Sequence, residues 1–278
     1  MSSRIFSTKR TDRWWIEPSL TAFGFLVFVL YTTWRAFSGV DFVAENYLSP
    51  FYSPLLFSAF SDTATEVAQN QFHHSWFGIW PASIPPWIPT SPAIFILIFP
   101  LSFRMTCYYY RKFYYRSFFL SPPACAVQGM PRNNYKGETG LLVIQNIHRF
   151  TLYIAILYIG ILYYDGFTAL FHKGEFGIGV GTIILLLNPT LMAFYVFGCH
   201  AFRHLIGGSE DCFTCPAGNE KIKYKVWEKV SILNSKHMLW AWVSMIWVAL
   251  TDLYIMLVAN GTITDFNTWS NWGSHLIK

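Results

Sequence analysis

Five long apolar stretches dominate the pattern of hydrophobic and polar positions along this chain. They span roughly residues 19–38, 92–113, 140–164, 176–204 and 235–259, with polar, basic or aromatic segments between them. Each is long enough to cross about 30 Å of hydrocarbon as a helix. Because unpaired backbone groups are not tolerated in lipid, all five are predicted to be helical. The pattern therefore predicts an all-α integral membrane protein with a bundle of five transmembrane helices.

Lysine and arginine residues lie in blocks between these stretches and orient them. Segments 1–18, 111–139 and 205–236 hold most of the basic residues, whereas none lies between Gly39 and Ser91. Since basic loops stay on the cytoplasmic side, the distribution predicts a cytoplasmic N-terminus and an outer C-terminus. The N-terminal segment lacks a small-residue cleavage site, so the first stretch is interpreted as a retained anchor.

The segment 39–91 is predicted to be a long outer loop, and it is unusually rich in Phe, Trp and Pro. Aromatic rings favour the headgroup level of a bilayer, so this loop is expected to form a short amphipathic or re-entrant cap there. No internal repeat or soluble domain is evident in the sequence. The prediction is a single membrane-anchor domain over residues 1–278.

Composition excludes several classes of function. The chain is 53% hydrophobic and only 13% charged, against about 25% charged in soluble domains. Its net charge of +5 comes from the orienting basic blocks, so no nucleic-acid binding is expected. A transporter or proton channel is an alternative hypothesis, but such a protein needs ionisable residues across the bilayer. Apart from Asp252 and Asp165, the predicted helices hold almost none.

Candidate metal ligands gather at the predicted cytoplasmic ends of four helices. Helix direction alternates, so at 1.5 Å per residue they fall within about two or three turns of that face. They are Cys107, His148, Cys199, His200 and His237. Two cysteines on one iron and two histidines on the other would make a Rieske-type [2Fe–2S] centre. Two histidines alone, facing across the bundle, would instead ligate a b-type haem.

The remaining cysteines lie in predicted cytoplasmic loops. Cys125 follows two prolines, in a stiff turn that could aim its thiolate at the same depth. Cys212 and Cys215 have C-x-x-C spacing, which is weak evidence for zinc or redox use without a second pair. Reduced thiols or metal ligands are expected at all five cysteines rather than a disulfide framework.

Residues 103–119 are dense in aromatic and basic side chains. An aromatic belt with basic residues reaching the headgroups explains part of this density. The rest could hold a quinone head group, which needs an apolar slot and hydrogen-bond donors, or dock an acidic peripheral subunit. The candidate surroundings of a quinone or cluster are Tyr109, Arg111, Arg203, His204 and Trp240.

Four motifs carry a family resemblance over about Phe99 to Ala259. They are FRMTCYYYRKFYYRSFFLSPPACAV, QNIHRF, CHAFRH followed by IGG, and LNSKHMLWAWVS. They resemble the membrane-anchor subunit of mycobacterial-type succinate dehydrogenase, a respiratory complex II without haem. The resemblance implies a bacterial cytoplasmic-membrane protein that serves as the non-flavin subunit of a succinate:quinone oxidoreductase.

The resemblance also implies cofactors and partners. A flavoprotein subunit with FAD oxidises succinate, and an iron–sulfur subunit with further clusters carries electrons inward. The anchor is expected to hold a membrane-embedded Rieske-type [2Fe–2S] cluster and to reduce a quinone, either menaquinone or ubiquinone. A homotrimer of the complex is compatible with this arrangement. A haem b anchor of a related respiratory dehydrogenase stays the alternative.

Carried over by motif, the cluster ligands are four of Cys107, Cys125, Cys199, His148, His200 and His237. The family motif has a second cysteine where this chain has Phe202, so the resemblance leaves the pair of thiolates open. The preferred order is Cys107 with Cys125, then Cys199. The expected imidazoles are those of His200 and His237, with His148 as the leading substitute.

Overall fold

The computed structural model describes residues 5–57, 76–78, 85, 91–130, 146–209, 212 and 219–270. Its backbone is mostly helical, which confirms the predicted fold class. The described helices are α1 (Ile16–Ser38), α2 (Ala93–Thr106), α3 (Tyr108–Ser117), α4 (His148–Thr168), α5 (Val180–Phe197), α6 (His200–Gly207), α7 (Asn219–Ser235) and α8 (His237–Ala259). Two short antiparallel hairpins join them, β1 (Val43–Ala44) with β2 (Tyr47–Leu48) and β3 (Phe171–His172) with β4 (Glu175–Phe176).

Among the described helices, α1, α4, α5 and α8 are each long and apolar enough to cross a membrane. Helices α2 and α3 together form a fifth candidate span, although they meet at a bend of 80°. The number of candidate spans thus agrees with the five predicted stretches. The cytoplasmic position of the N-terminus and the single-domain organisation stay predictions.

Two of the predicted spans are not continuous helices. The stretch 92–113 breaks at Cys107 and the stretch 176–204 breaks after Phe197. Cys107 (φ −68°, ψ 134°) and Cys199 (φ −75°, ψ 155°) both have extended backbone at these breaks. Apolar residues continue through both positions, and hydrophobicity alone does not distinguish a straight helix from one that turns. The predicted start of the third span, 140–145, lies outside the described residues.

The main core lies where α2, α4, α5 and α8 meet, at the end of the bundle that carries the two helix breaks. Buried Phe103, Leu152, Tyr195 and Met245 come from these four helices. Helix α4 packs on α5, and α5 packs on α8. We call this the cysteine end of the bundle, because Cys107 and Cys199 are buried in the same cluster.

The described part of the predicted outer loop covers the opposite end. The β1–β2 hairpin pairs Val43 with Leu48, and Phe42 stacks on Tyr52 with ring centroids 4.3 Å apart. These aromatic side chains pack against α2 and α8. Residues 58–75, 79–84 and 86–90 are not among those described, so the amphipathic or re-entrant cap stays a prediction.

A buried ion pair joins α1 to α8 at this opposite end. Arg35 Nε lies 2.7 Å from Asp252 Oδ2, and the two side chains are 1% and 0% exposed. The hydroxyls of Tyr31 and Ser49 also donate hydrogen bonds to the Asp252 carboxylate. Asp252, one of the few acidic residues in the predicted helices, is therefore paired inside the bundle with Arg35. Since few other α1 side chains are buried, this pair is a principal attachment of α1.

Arg35→Met should destabilise the protein, because it leaves the Asp252 carboxylate buried without a cation. We expect a loss of about 3–5 kcal/mol in the free energy of unfolding, measured by SDS titration of the protein in mixed micelles. The matched control combines Arg35→Met with Asp252→Leu. It also removes the unpaired buried carboxylate, so its free energy of unfolding should fall less. If the double variant is as unstable as Arg35→Met alone, the unpaired carboxylate is not the cause of the instability.

Candidate metal centre

Each buried cysteine is the residue that immediately precedes a short helix. Cys107 precedes α3 and Cys199 precedes α6, and the Phe202 amide donates a hydrogen bond to Cys199 Sγ at 3.2 Å. The first turn of a helix presents unpaired N–H groups and partial positive charge, which favour a thiolate. The turn that interrupts each apolar stretch therefore also places a buried sulfur at the start of a helix.

The histidine at the start of α8 lies beside the first of these sulfurs. His237 Nε2 is 3.8 Å from Cys107 Sγ, and the imidazole is stacked on Tyr195 with ring centroids 5.0 Å apart. The side chain is 2% exposed. Its Nδ1 is buried and has no hydrogen-bond partner in the part of the chain that the structure describes. A buried ring nitrogen without a partner is a candidate ligand.

The histidine at the start of α4 is held by a threonine. Thr106 Oγ1 is 2.9 Å from His148 Nδ1, and the same hydroxyl donates to the Ser102 carbonyl at 2.8 Å. Because a hydroxyl has one proton, we assign Nδ1–H as the donor to Thr106, which leaves the lone pair on Nε2. Phe103 stacks on the ring at 4.4 Å. A fixed tautomer with a free nitrogen is typical of a metal-binding histidine.

These side chains line one cavity of about 630 Å³ at the cysteine end. Its lining includes two cysteines and four histidines, namely Cys107, Cys199, His148, His200, His204 and His237. The structure therefore brings together five of the six predicted cluster ligands. In the described ranges, no three histidine, cysteine or acidic side chains are close enough to hold one metal ion. A two-iron centre needs two protein ligands at each iron, and the cysteines and histidines that line this cavity are the residue types that a mixed-ligand cluster uses.

Cys125 is the predicted ligand that the structure does not bring to the cavity. It is exposed, its carbonyl accepts a hydrogen bond from Arg10 at 2.9 Å, and its sulfur is 3.9 Å from Arg116 Nη2. Cys199 instead lies with Cys107 at the cavity. His200 lines the cavity but is exposed, whereas His148 and His237 are more deeply held.

The residues predicted to surround a quinone or cluster also fall into two groups, those that line the cavity and those that do not. Tyr109 lines the cavity and its ring lies 5.1 Å from that of His237, and His204 lines the cavity wall from α6. The other three residues do not line it. They contact other rings instead: Arg111 lies over Tyr108 at 5.1 Å, Arg203 over Trp227 at 4.5 Å, and Trp240 packs on Phe194 at 4.9 Å. A role for these three near a quinone or cluster stays a prediction.

Sequence interpretation does not identify a buried arginine that is separated by the Tyr195 ring from His237, one of the residues that line the cavity. Arg104 is 9% exposed and donates hydrogen bonds to the Tyr110 hydroxyl and to Ser244 Oγ, the latter at 3.1 Å. Its guanidinium lies over the Tyr195 ring at 4.9 Å. The available signal is an arginine inside an apolar stretch, three residues before Cys107, but its position also fits the aromatic and basic belt.

Cys212 departs from the expectation of reduced thiols, because it is disulfide-bonded. Spacing alone could not distinguish a ligand cysteine from a disulfide cysteine. Cys215 lies outside the described residues. Cys107, Cys125 and Cys199 are free thiols, in agreement with the expectation.

The bundle of membrane-spanning helices, with candidate metal ligands at one end, defines the class of membrane-anchor proteins. The family model "Actinobacterial succinate dehydrogenase subunit SdhC" matches residues 16–261, and the chain belongs to this family. It is therefore a succinate dehydrogenase membrane anchor and a multi-pass protein of the bacterial inner membrane.

A solved structure supports the family assignment. The chain is similar to one in the apo form of the Mycobacterium smegmatis Sdh1 complex, with a TM-score of 0.80 and 44% sequence identity over 94% of each chain. No curated protein sequence matches significantly.

Maleimide labelling tests the arrangement of the three free thiols. In native protein in detergent, Cys125 should react at least about tenfold faster than Cys107 or Cys199, because thiol reactivity requires exposure. Peptide mass spectrometry measures the three rates. Unfolding in SDS should equalise them, and Cys125→Ser should remove the fast reaction. Equal native rates at Cys125 and Cys199 would contradict the described burial.

Proposed function

We propose that this anchor holds a Rieske-type [2Fe–2S] cluster and transfers electrons from a peripheral iron–sulfur subunit to quinone. The observation that carries the proposal is the convergence of two thiols at helix N-termini and several imidazoles on one cavity. Our preferred ligands are Cys107, Cys199, His148 and His237. His200 is the alternative imidazole, because it lines the cavity from the exposed side.

Each part of the site has a task in this proposal. A bound cluster would supply one-electron transfer at a higher potential than an all-thiolate cluster. The helix breaks aim the sulfurs, Thr106 sets the tautomer of His148, and stacking on Tyr195 fixes the plane of His237. Tyr109, at the cavity wall, offers a hydroxyl and an aromatic face to a quinone head group.

Cysteine variants test the thiolate ligands against a matched control. Cys107→Ser and Cys199→Ser should lose most of the iron and acid-labile sulfide assigned to the anchor, while Cys125→Ser should keep both. Metal analysis of the purified complex gives the content. Low-temperature EPR distinguishes an imidazole-ligated cluster, through its low average g value, from all-thiolate clusters. Loss of the signal in Cys125→Ser with retention in Cys199→Ser would reverse our assignment.

Histidine variants test the imidazole ligands. His148→Ala and His237→Ala should each abolish quinone reduction, while succinate oxidation with a soluble artificial acceptor survives, because only the route through the anchor is interrupted. The two assays together separate this result from unfolding, which would lower both. If His200→Ala abolishes quinone reduction and His148→Ala does not, His200 and His237 are the pair. A haem Soret band in the optical spectrum would support a haem b anchor instead.

We also propose that α7 docks the peripheral subunits. It carries exposed Lys225 and Lys229 and leads directly into α8, where His237 is the first residue. A basic surface mainly governs the orientation and rate of assembly with an acidic partner. Docking there would bring an electron donor close to the cavity.

Charge reversal tests this docking surface. Lys225→Glu with Lys229→Glu should release succinate-oxidising activity from membranes into the supernatant at moderate salt, because like charges then face each other. The fraction of activity that sediments with membranes is the measurement. Lys173→Glu, in the exposed turn between β3 and β4 at the opposite end, is the matched control and should retain the activity. Equal retention by both variants would exclude α7 as the main docking surface.

A further inference from the structure

Arg104 is a buried positive charge without a carboxylate partner among the described residues. Besides its bonds to Tyr110 and Ser244, it donates to the Ala241 carbonyl at 3.3 Å. All three acceptors are neutral oxygens. Arg35 is also buried, but it is paired with Asp252, so the two sites differ in their net charge.

Burying an unpaired cation in an apolar bundle is costly, and such residues commonly serve function. The stabilising contacts here are rings as well as hydrogen bonds. The guanidinium lies 4.9 Å from the centroid of Tyr195 and 5.6 Å from that of Tyr110. Tyr195 in turn stacks on His237, so one ring separates the arginine from a preferred ligand.

The group that this charge would favour is an anion in the cavity. Cys107, which lines the cavity, follows Arg104 by three residues, and its amide donates to the Arg104 carbonyl at 3.2 Å. With two ferric ions, two sulfides and two thiolates, a cluster with neutral imidazoles has no net charge. One electron taken up from the peripheral subunit would add one negative charge to such a cluster, and transfer of that electron to quinone would remove it.

We propose that Arg104 is a positioning residue that raises the reduction potential of the cluster by stabilising this added negative charge. The inference rests on the proposed function. Net charge and hydrogen bonding around a cluster are two of the factors that determine its potential. The effect is strong at this site because no described carboxylate neutralises the guanidinium and the surroundings are apolar.

The test is an EPR-monitored redox titration of the purified complex carrying Arg104→Met. The equilibrium constant for reduction of the imidazole-ligated cluster should fall tenfold or more, which corresponds to about 59 mV toward lower potential for one electron. Arg104→Lys keeps the positive charge, so its reduction potential should fall by less than this amount. Ser244→Ala removes one hydrogen bond without a charge and is the matched control, with little change expected.

The outcomes separate charge from packing. An unchanged potential in Arg104→Met, or one equally low in Arg104→Lys, would overturn the proposal. If Arg104→Met assembles no cluster, iron content decides: normal iron in Arg104→Lys supports a need for the positive charge, and absent iron in Arg104→Lys overturns it. If the unaltered complex shows no EPR signal of an imidazole-ligated cluster, the proposed function itself is wrong. This result differs from an unchanged reduction potential in Arg104→Met, which contradicts the role of Arg104 alone.

Discussion

The candidate metal centre depends on two interruptions of membrane helices. At Cys107 and Cys199 the backbone is extended for one residue, and a new helix begins immediately afterwards. A continuous helix would use its amides in its own hydrogen bonds, whereas a helix start leaves them available to a sulfur. The breaks therefore have two consequences. The first turns α3 away from the direction of α2 by 80°, and each of the two places a buried thiol at the start of a helix.

Arg35 and Arg104, both buried, show how similar side chains take different roles in one bundle. Arg35 forms a bidentate ion pair with Asp252 and also donates to the Val40 carbonyl at 3.0 Å, so its charge is neutralised where α1 meets the opposite end. Within the described residues, Arg104 has neutral acceptors and aromatic faces as its partners. Neutralisation suits an attachment between helices, while an unneutralised charge can act on a neighbouring electron-transfer site.

Sequence reasoning could predict the spans and the gathering of ligands, because hydrophobic length and helix rise determine both. It could not decide between Cys125 and Cys199 as partner of Cys107. That choice depends on where the polypeptide turns: Cys199 lies at a break inside the core, while the loop with Cys125 packs beside Arg10. Arg35 and Asp252 are 217 residues apart in the chain, so no local pattern could reveal their pairing.

The junction between α7 and α8 connects the proposed docking surface to the cavity. Asn234 Nδ2, near the end of α7, donates to the Gly198 carbonyl at 2.7 Å, next to Cys199. A Cβ at Gly198 would lie 3.2 Å from the Leu233 carbonyl oxygen and 2.7 Å from that of Phe194, so only glycine allows this close approach. One residue, Lys236, then separates α7 from His237. A partner bound to α7 would therefore contact an element that is fixed to both a preferred thiolate and a preferred imidazole, and electron donor and acceptor would be held in one rigid arrangement.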